Sequence, residues 1–340
     1  MPTLPARAQR LKSTILTYPV KKMVYDIITI GSATIDIFLK SNSKDINIEK
    51  HESHDDICMP IGTKILIKEL TTTTGGGGTN TACSFKRMGF KTGWIGKIGN
   101  DLNSKTIEQQ IKEEKIDLLG CTGEGSAGLS IILTGFKHNR TILAYKGIND
   151  KLSCDEIKKA KTKWYYLASM MGESWKTATD IAKQARKKDI PLAFNPSTYL
   201  AKKGMSKLKP VLDATRILIL NKEEALALSG KKTVKNALAT LQAQIPLVVI
   251  TDGPRGAIAY NGINKYTLRV PKKSITEATG AGDAFASTFV ASIIKKQDIP
   301  SAMQYAYCQA ANVLSAIGAK NNLAPWKKLT KKGKVTTSHL

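Results

Sequence analysis

The chain has 340 residues, 42% hydrophobic and 6% aromatic, a globular composition far from disordered or collagen-like sequences. That length allows one large α/β domain or a large domain with a smaller one, and no apolar run approaches the roughly 18 residues that a membrane-spanning helix needs. The formal charge of +25 comes from 52 Lys and Arg against 27 Asp and Glu; the basic stretches lack interleaved aromatics and any nucleic-acid motif, so they read as a solvated surface rather than a nucleic-acid-binding face.

Five cysteines, Cys58, Cys83, Cys121, Cys154 and Cys308, are odd in number and never form C-x-x-C. Neither a disulfide framework nor a zinc site is indicated, and a reducing, cytoplasmic compartment fits.

Residues 1–22 carry no acidic side chain. They read as a basic tail or transit-like segment, or as residues outside the native chain, since Met23 stands just before a buried-strand pattern, "DIITIG" at 26–31. His51, His54 and Cys58 in "HESHDDICMP" have metal-ligating side chains, but no second cluster follows, which favours a solvated loop. "TKILIKELTTTT" at 63–74 has strand composition.

Four glycines, Gly75 to Gly78, then precede a helix-spaced segment with Ala82, Phe85 and Met88 on one face. Such a run lets backbone pass close to a ligand, and Asn80 beyond it can donate and accept hydrogen bonds. The plainer reading is a flexible loop with Asn80 in a first turn. Residues 127–147 again have strand composition around a hairpin-like "TGFKHNR" turn. Segments of about 37–74 and 121–148 thus predict a small β-sheet beside the main domain.

From 164 onward, short β-rich runs alternate with helical spacing: "WYYLAS", "IPLAFN", "RILILN" and "PLVVIT". In the helical stretch between the first two, Ala178, Ile181, Ala182 and Ala185 share a face. Alternation of this kind predicts a doubly wound, mostly parallel sheet with its site beyond the strands' carboxyl ends, where Asn195, Asn221 and Thr251 fall.

"ITEATGAGDAFAST" at 275–288 sets Asp283 just after Gly280, Ala281 and Gly282, at the start of a helix in which Phe285, Thr288, Phe289 and Ser292 recur. A helix N-terminus offers unpaired N–H groups to an anion. Taken alone, the stretch supports both a base and a simple first-turn acid at Asp283. The third glycine of a dinucleotide fingerprint is Phe285 here, and no P-loop spacing occurs anywhere.

Several ordered blocks carry a family resemblance: "IITIGSATIDIF", "GGGGTNTACSFKRMGFKTGWIGKIGND", "ILILNKEEALALSG", "VVITDGPRGA" and "TGAGDAF". Together they resemble the ribokinase-like, or PfkB, carbohydrate kinases over about residues 24–320. The resemblance implies one kinase domain over 23–320 with a β-sheet lid, a basic tail at 321–340, and ATP- and Mg2+-dependent transfer to a hydroxymethyl group of a sugar, a nucleoside being the alternative acceptor. A nucleic-acid-binding protein on a degenerate kinase scaffold is the reading from another class.

By position in the matched motifs, Asp283 is the implied base and Gly280, Ala281 and Gly282 the anion hole. Asp36, Gly76, Gly77 and Asn80 are the implied substrate contacts. Asn221 and Glu224 form the N-x-x-E element, Glu224 acting on magnesium indirectly, while Thr251, Gly253 and Gly256 form the nucleotide-side loop. The sequence departs from the family pattern in three places. Glu277 replaces an aspartate near any monovalent-cation site; Ser287 and Thr288 stand where a glycine is common; and Ala168 and Ser169 stand near the place of the glutamate of strict ribokinases, with Glu173 a few residues on. Phe136, Tyr145, Leu129 and Ile131 are either lid core or a platform for a nucleobase. A free lid edge would let two copies pair as a homodimer.

Overall fold

The structure is a computed structural model that describes residues 24–41, 46–52, 55–136, 139–271 and 279–339. The expectations for residues 1–22, Met23, His54 and Glu277 lie outside these residues, as does the Phe136 side chain.

The strands that build the two principal sheets are, in chain order, β1 (Ile27–Ile30), β2 (Thr34–Lys40), β3 (Glu69–Gly75), β4 (Thr92–Ile95), β5 (Asp117–Leu118), β6 (Gly128–Phe136), β7 (Asn139–Tyr145), β8 (Tyr165–Leu167), β9 (Leu192–Phe194), β10 (Thr215–Asn221), β11 (Leu247–Thr251), β12 (Ala257–Tyr260), β13 (Asn264–Arg269) and β14 (Lys334–His339). The helices that matter for the site and its support are α1 (Gly77–Arg87), α2 (Leu102–Glu113), α3 (Gly172–Lys187), α4 (Gly204–Leu212), α5 (Lys222–Ser229), α6 (Val234–Gln242), α7 (Ala281–Ile294) and α8 (Ile299–Val313).

Ten strands form the main sheet in the order β14-β13-β12-β11-β10-β9-β8-β1-β4-β5. From β11 to β5 every pairing is parallel, and the last three strands on the other side are antiparallel. The central strands are buried on both faces, as continuous apolar runs in parallel sheets require. Ile28, Leu167, Phe194, Leu218 and Val248 pack on one side with Ala178 and Ala182 of α3, Val211 of α4 and Leu238 of α6. On the other side, Ile27, Tyr166, Ile217 and Val249 pack with Phe85 of α1, Phe285 and Phe289 of α7, and Met303 of α8. The four residues expected on one face of α3 are all buried.

The second sheet has four strands in the order β7-β6-β2-β3. Here β2 runs antiparallel to β3 and parallel to β6. Its strands come from the two segments that interrupt the main alternation. β3 begins only at Glu69, where it pairs with Lys40, later than the apolar composition of 63–74 suggests. Leu66 is consequently 84% exposed.

Within "HESHDDICMP" at 51–60, expected as a solvated loop, Asp55–Cys58 instead pairs antiparallel with Asn47–Lys50. His51 lies 3.3 Å from Asp56 Oδ2.

The stretch 321–340, expected as a basic tail, is built into the fold as far as residue 339. Leu323 and Leu329 are buried, Trp326 packs on Tyr305 with ring centroids 5.0 Å apart, and β14 pairs along all of β13. The lysines hid this strand because it lies at a sheet edge, where mostly polar side chains face solvent.

Candidate active site

The strand ends of the main sheet and the N-terminus of α7 enclose a cleft of about 360 Å³, and Ser32, Gly77, Ala168, Ser169, Asn195, Asn221, Glu224, Thr251, Gly280, Gly282 and Asp283 are among its walls. It opens where doubly wound sheets place their ligands, beyond the carboxyl ends of the strands. From the small sheet come Arg140 on β7 and Lys146 just after it.

Gly280 caps α7 with φ 80°, a left-handed conformation, and a β-carbon there would overlap Ala319. Glycine is therefore required by backbone and by space. The turn leads directly into Ala281, Gly282 and Asp283, so the first amides of α7 emerge at the cleft. A β-carbon at Gly282 would meet nothing within 4 Å, which leaves room for a ligand against this backbone.

The Asp283 carboxylate accepts a hydrogen bond from Asn80 Nδ2 at 2.8 Å, across 203 residues of sequence. This bond joins the two glycine-rich motifs. A β-carbon on Gly77 would lie 3.7 Å from the other Asp283 oxygen. Asn80 is 5% exposed, and its Oδ1 has no partner among the described residues. Burial pushes the Asp283 carboxyl above the usual carboxylate range; Asn80 opposes that, the negative charge of Asp36 adds to it, and Lys320 pulls it back.

Asp36 does not line the cleft. It sits behind it on β2, buried, with Oδ1 accepting from Thr34 Oγ1 at 2.8 Å. Its carboxyl is likewise raised by burial, against the hydrogen bonds of Thr34 and Ser130 and the charge of Lys320. Any side chain at Gly75 would collide with this carboxylate, and Gly76 (φ 95°) would bring one within 2.5 Å of Ser32 O. The glycine run is therefore a close approach of backbone to β2, and the flexible-loop reading is set aside. Leu129, Ile131 and Tyr145 share the face of Ile35, opposite to Asp36, by strand register. Leu129 packs toward Ile35, Ile107 and Ile111. The residues beside Asp36 are Thr34, Ser130 and Thr73.

Asn221 and Glu224 cap α5 reciprocally. Asn221 Oδ1 accepts from the Glu224 N–H at 2.8 Å, and Glu224 Oε2 accepts from the Asn221 N–H at 3.0 Å. Glu224 Oε1 accepts from Thr198 Oγ1 at 3.4 Å. Burial raises its carboxyl, with the charges of Glu223 and Asp283 adding to the effect. Both oxygens are thus committed to the protein, yet the group faces a cleft with surplus negative charge. That arrangement suits a hydrated divalent cation held through water, the usual manner of Mg2+. Thr251 pairs with Asn221 in register at the neighbouring strand end.

Gly253 and Gly256 are not among the cleft walls. Gly256 (φ 98°) faces Leu268 O so closely that a β-carbon would overlap it, which ties this glycine to the open end of the β12–β13 pair, away from the turn that joins them. Glu173, in the first turn of α3, is exposed and away from the cleft, whereas Ser169 lines it and shares a hydrogen bond of 2.6 Å with Ser197. Arg140, Lys146 and Ser197 were missed from sequence, because a hairpin strand and a loop carry them with no motif around them.

A doubly wound sheet with a carboxylate at a glycine-capped helix start, facing a cleft of backbone amides, defines a phosphotransferase built to act on an alcohol group. The chain belongs to the pfkB family of carbohydrate kinases, whose profile matches residues 26–327. A sugar kinase of Archaeoglobus fulgidus, itself uncharacterized, is 25% identical over 241 residues, 70% of this chain and 96% of that protein. Among solved structures, adenosine kinase from Sinorhizobium meliloti superposes with a TM-score of 0.76 at 18% identity, covering 89% of this chain and 98% of the other. Ribokinase from Arabidopsis thaliana, complexed with ribose and ATP, gives 0.72 at 20% identity over 90% and 97%.

Proposed function

We propose that this chain transfers the γ-phosphoryl group of ATP to a hydroxymethyl group of a sugar, with Asp283 as the base. The observation that carries the proposal is the Asp283 carboxylate, held by Asn80 at 2.8 Å and set in the first turn of α7, whose first amides open on the cleft. As the acceptor oxygen bonds to the γ-phosphorus, its proton passes to Asp283 and the bond from that phosphorus to the bridging oxygen breaks, releasing ADP. The Gly280, Ala281 and Gly282 amides stabilise the charge on the transferring group without reorganising. A raised carboxyl serves this role, because it accepts a proton more readily than an ordinary aspartate.

Asn221, Glu224 and Thr251 lie on the donor side of the cleft. Magnesium, when bound with the nucleotide, offsets phosphate charge, and Glu224 would hold its water shell. Gly77 meets the acceptor in the cleft, and Asp36, Gly76 and Asn80, which lie behind its wall, would reach the acceptor as the small sheet closes over it. What favours a sugar over a nucleoside is the Asp36 face of the small sheet, where Thr34, Ser130 and Thr73 supply hydroxyls beside the carboxylate, while Leu129, Ile131 and Tyr145 face the other way. The small sheet then acts as a lid that excludes water from the donor. Its edge strand β7 exposes Ile142, Leu143 and Tyr145, and in this reading pairs with a second copy.

The test is ADP release by the purified protein with ATP and Mg2+ against pentoses, hexoses, their phosphates and nucleosides. Turnover with a sugar is the expected outcome. Turnover confined to nucleosides would replace the acceptor, and ATP-independent, salt-sensitive binding of DNA or RNA with no turnover would overturn the kinase reading.

A further inference from the structure

Lys320 is a charged side chain that the mechanism above does not use, only 3% exposed and set between elements that it does use. Its ammonium donates to Thr74 Oγ1 on β3 at 3.0 Å and to Gln110 Oε1 on α2 at 2.7 Å. The Thr74 hydroxyl in turn donates to the same Gln110 oxygen. The Lys320 carbonyl accepts from Arg87 at 2.7 Å, and Arg87 is itself paired with Glu114.

The two residues before it make the connection outward. Ala319 lies directly against Gly280, and a β-carbon on Gly318 would sit 3.0 Å from Thr73 Cγ2. Thr73 is the register partner of Asp36. One stretch of three residues therefore touches the phosphate cradle on one side and the root of the small sheet on the other. Burying an ammonium whose hydrogen-bond acceptors are both neutral is costly, and such a cost persists where it serves a site.

We propose that Lys320 is a positioning residue for the acceptor: it ties β3 to the Gly280 cradle, and its positive charge behind Asp36 orients that carboxylate for the acceptor hydroxyls. This rests on the kinase reading above. Asp36 is faced by Thr34 and Ser130 from its own sheet, by Lys320 from the C-terminal stretch, and across the site by Asp283. Lys320 is faced by Cys83 and Arg87 of α1, by Glu114 and by Asp36. Burial lowers its ammonium pKa, with the charge of Arg87 adding to the effect, and Cys83, Asp36 and Glu114 oppose it. Removing the cation removes an influence that favours ionised Asp36 and ionised Asp283 alike, so the acid limb of activity moves to higher pH, and the acceptor KM is what reports on Asp36.

Lys320 also lines a crevice of about 690 Å³ between β3 and α2, with Lys105 and Glu113 near it. Lys320→Ala opens a hole onto that crevice, large enough for methylammonium. In the phosphoryl-transfer assay, Lys320→Ala should raise the acceptor KM by about 10- to 100-fold, the value of a charged hydrogen-bond contact. The KM for MgATP should change less than about twofold, the acid limb of kcat/KM for the acceptor should move up in pH, and added methylammonium should restore activity with saturation. Lys105→Ala should behave as the parent. Should Lys320→Ala fail to fold, Lys320→Gln decides: it keeps a donor and loses the charge, so an acceptor KM at the parental value overturns the proposal, as do an unmoved acid limb or absent amine rescue in the alanine variant. A wild-type protein that transfers no phosphoryl group sinks the kinase reading itself, whereas an active wild type with indifferent Lys320 variants sinks only this inference.

Discussion

The two sheets solve opposite problems with the same chemistry of strands. In the ten-stranded sheet the middle strands are covered on both faces, and the side chains that reach the cleft do so only at the strand ends. In the four-stranded sheet the buried carboxylate, Asp36, stands in mid-strand on one face, while Ile35 beside it packs the other. The first sheet is a floor whose stability does not depend on the site. The second trades packing for access, and leaves Leu66, Leu70, Leu143 and Tyr145 more than half exposed around it. Dense packing under the cradle favours a rigid site, and a sheet with fewer buried contacts is the element expected to move if the site closes.

The largest effect should come where the floor meets the cradle. Asp283→Asn should cut kcat by about 10²- to 10⁴-fold, the usual worth of a general base, with MgATP binding nearly unchanged. The same variant should melt at a higher temperature at neutral pH. The folded-state pKa of Asp283 lies above its ordinary value, so the folded protein prefers the protonated form. The group's favourable contribution is present at low pH and lost as pH rises through the folded pKa, which leaves a half-buried charge at pH 7 that Asn removes. The gain over wild type should vanish as pH falls below the carboxylate range. For the wild type, the acid limb of the kcat/KM profile should lie above that of an ordinary aspartate. A variant with normal turnover would return Asp283 to the status of a first-turn acid.

Gly280→Ala asks whether the cradle is backbone. Its φ of 80° and the overlap with Ala319 leave an added methyl no place, so the first turn of α7 must shift. The expected loss in kcat is about 10²- to 10³-fold, comparable with removing one oxyanion donor. Unchanged turnover would mean that the amides of this turn do not carry the charge.

Asp36→Asn probes the other sheet, and should act mainly on the acceptor. Losing a charged hydrogen-bond partner is worth about 1.5–3 kcal/mol, or roughly 10- to 100-fold in kcat/KM. Equal losses for acceptor and MgATP would argue that Asp36 supports the fold rather than the acceptor.

What could be read from the sequence follows the same division. The floor was legible because burial on both faces leaves a strong signal, as in "RILILN" and "PLVVIT". The cradle was legible because Gly280 and Gly76 occupy backbone conformations that other residues resist. The Asn221–Glu224 pair was legible only through the resemblance to the family's N-x-x-E element, and the structure shows the two as a reciprocal cap. The small sheet was located but its face assignment was not, since Leu129, Ile131 and Tyr145 alternate whether the sheet presents them inward or outward, and only register decides. Two lysine-rich regions misled. Lys320 sits in "GAKNNL", where nothing local marks it as buried, because its partners Thr74 and Gln110 lie 246 and 210 residues away. β14 reads as a tail because an edge strand needs few apolar residues.

The smallest effect gives the sharpest control on the comparison. Leu66→Ser removes an apolar side chain that is 84% exposed and should alter stability by less than about 0.5 kcal/mol. Phe194→Ala removes a ring that is fully buried between β9 and α3, and should cost about 3–5 kcal/mol. Denaturant melts of the two variants would measure the gap directly. If Leu66→Ser proved as costly as Phe194→Ala, the small sheet would have to be packed against something in solution on its β3 side, across the sheet from the β7 edge, and sedimentation would show whether that is a second copy.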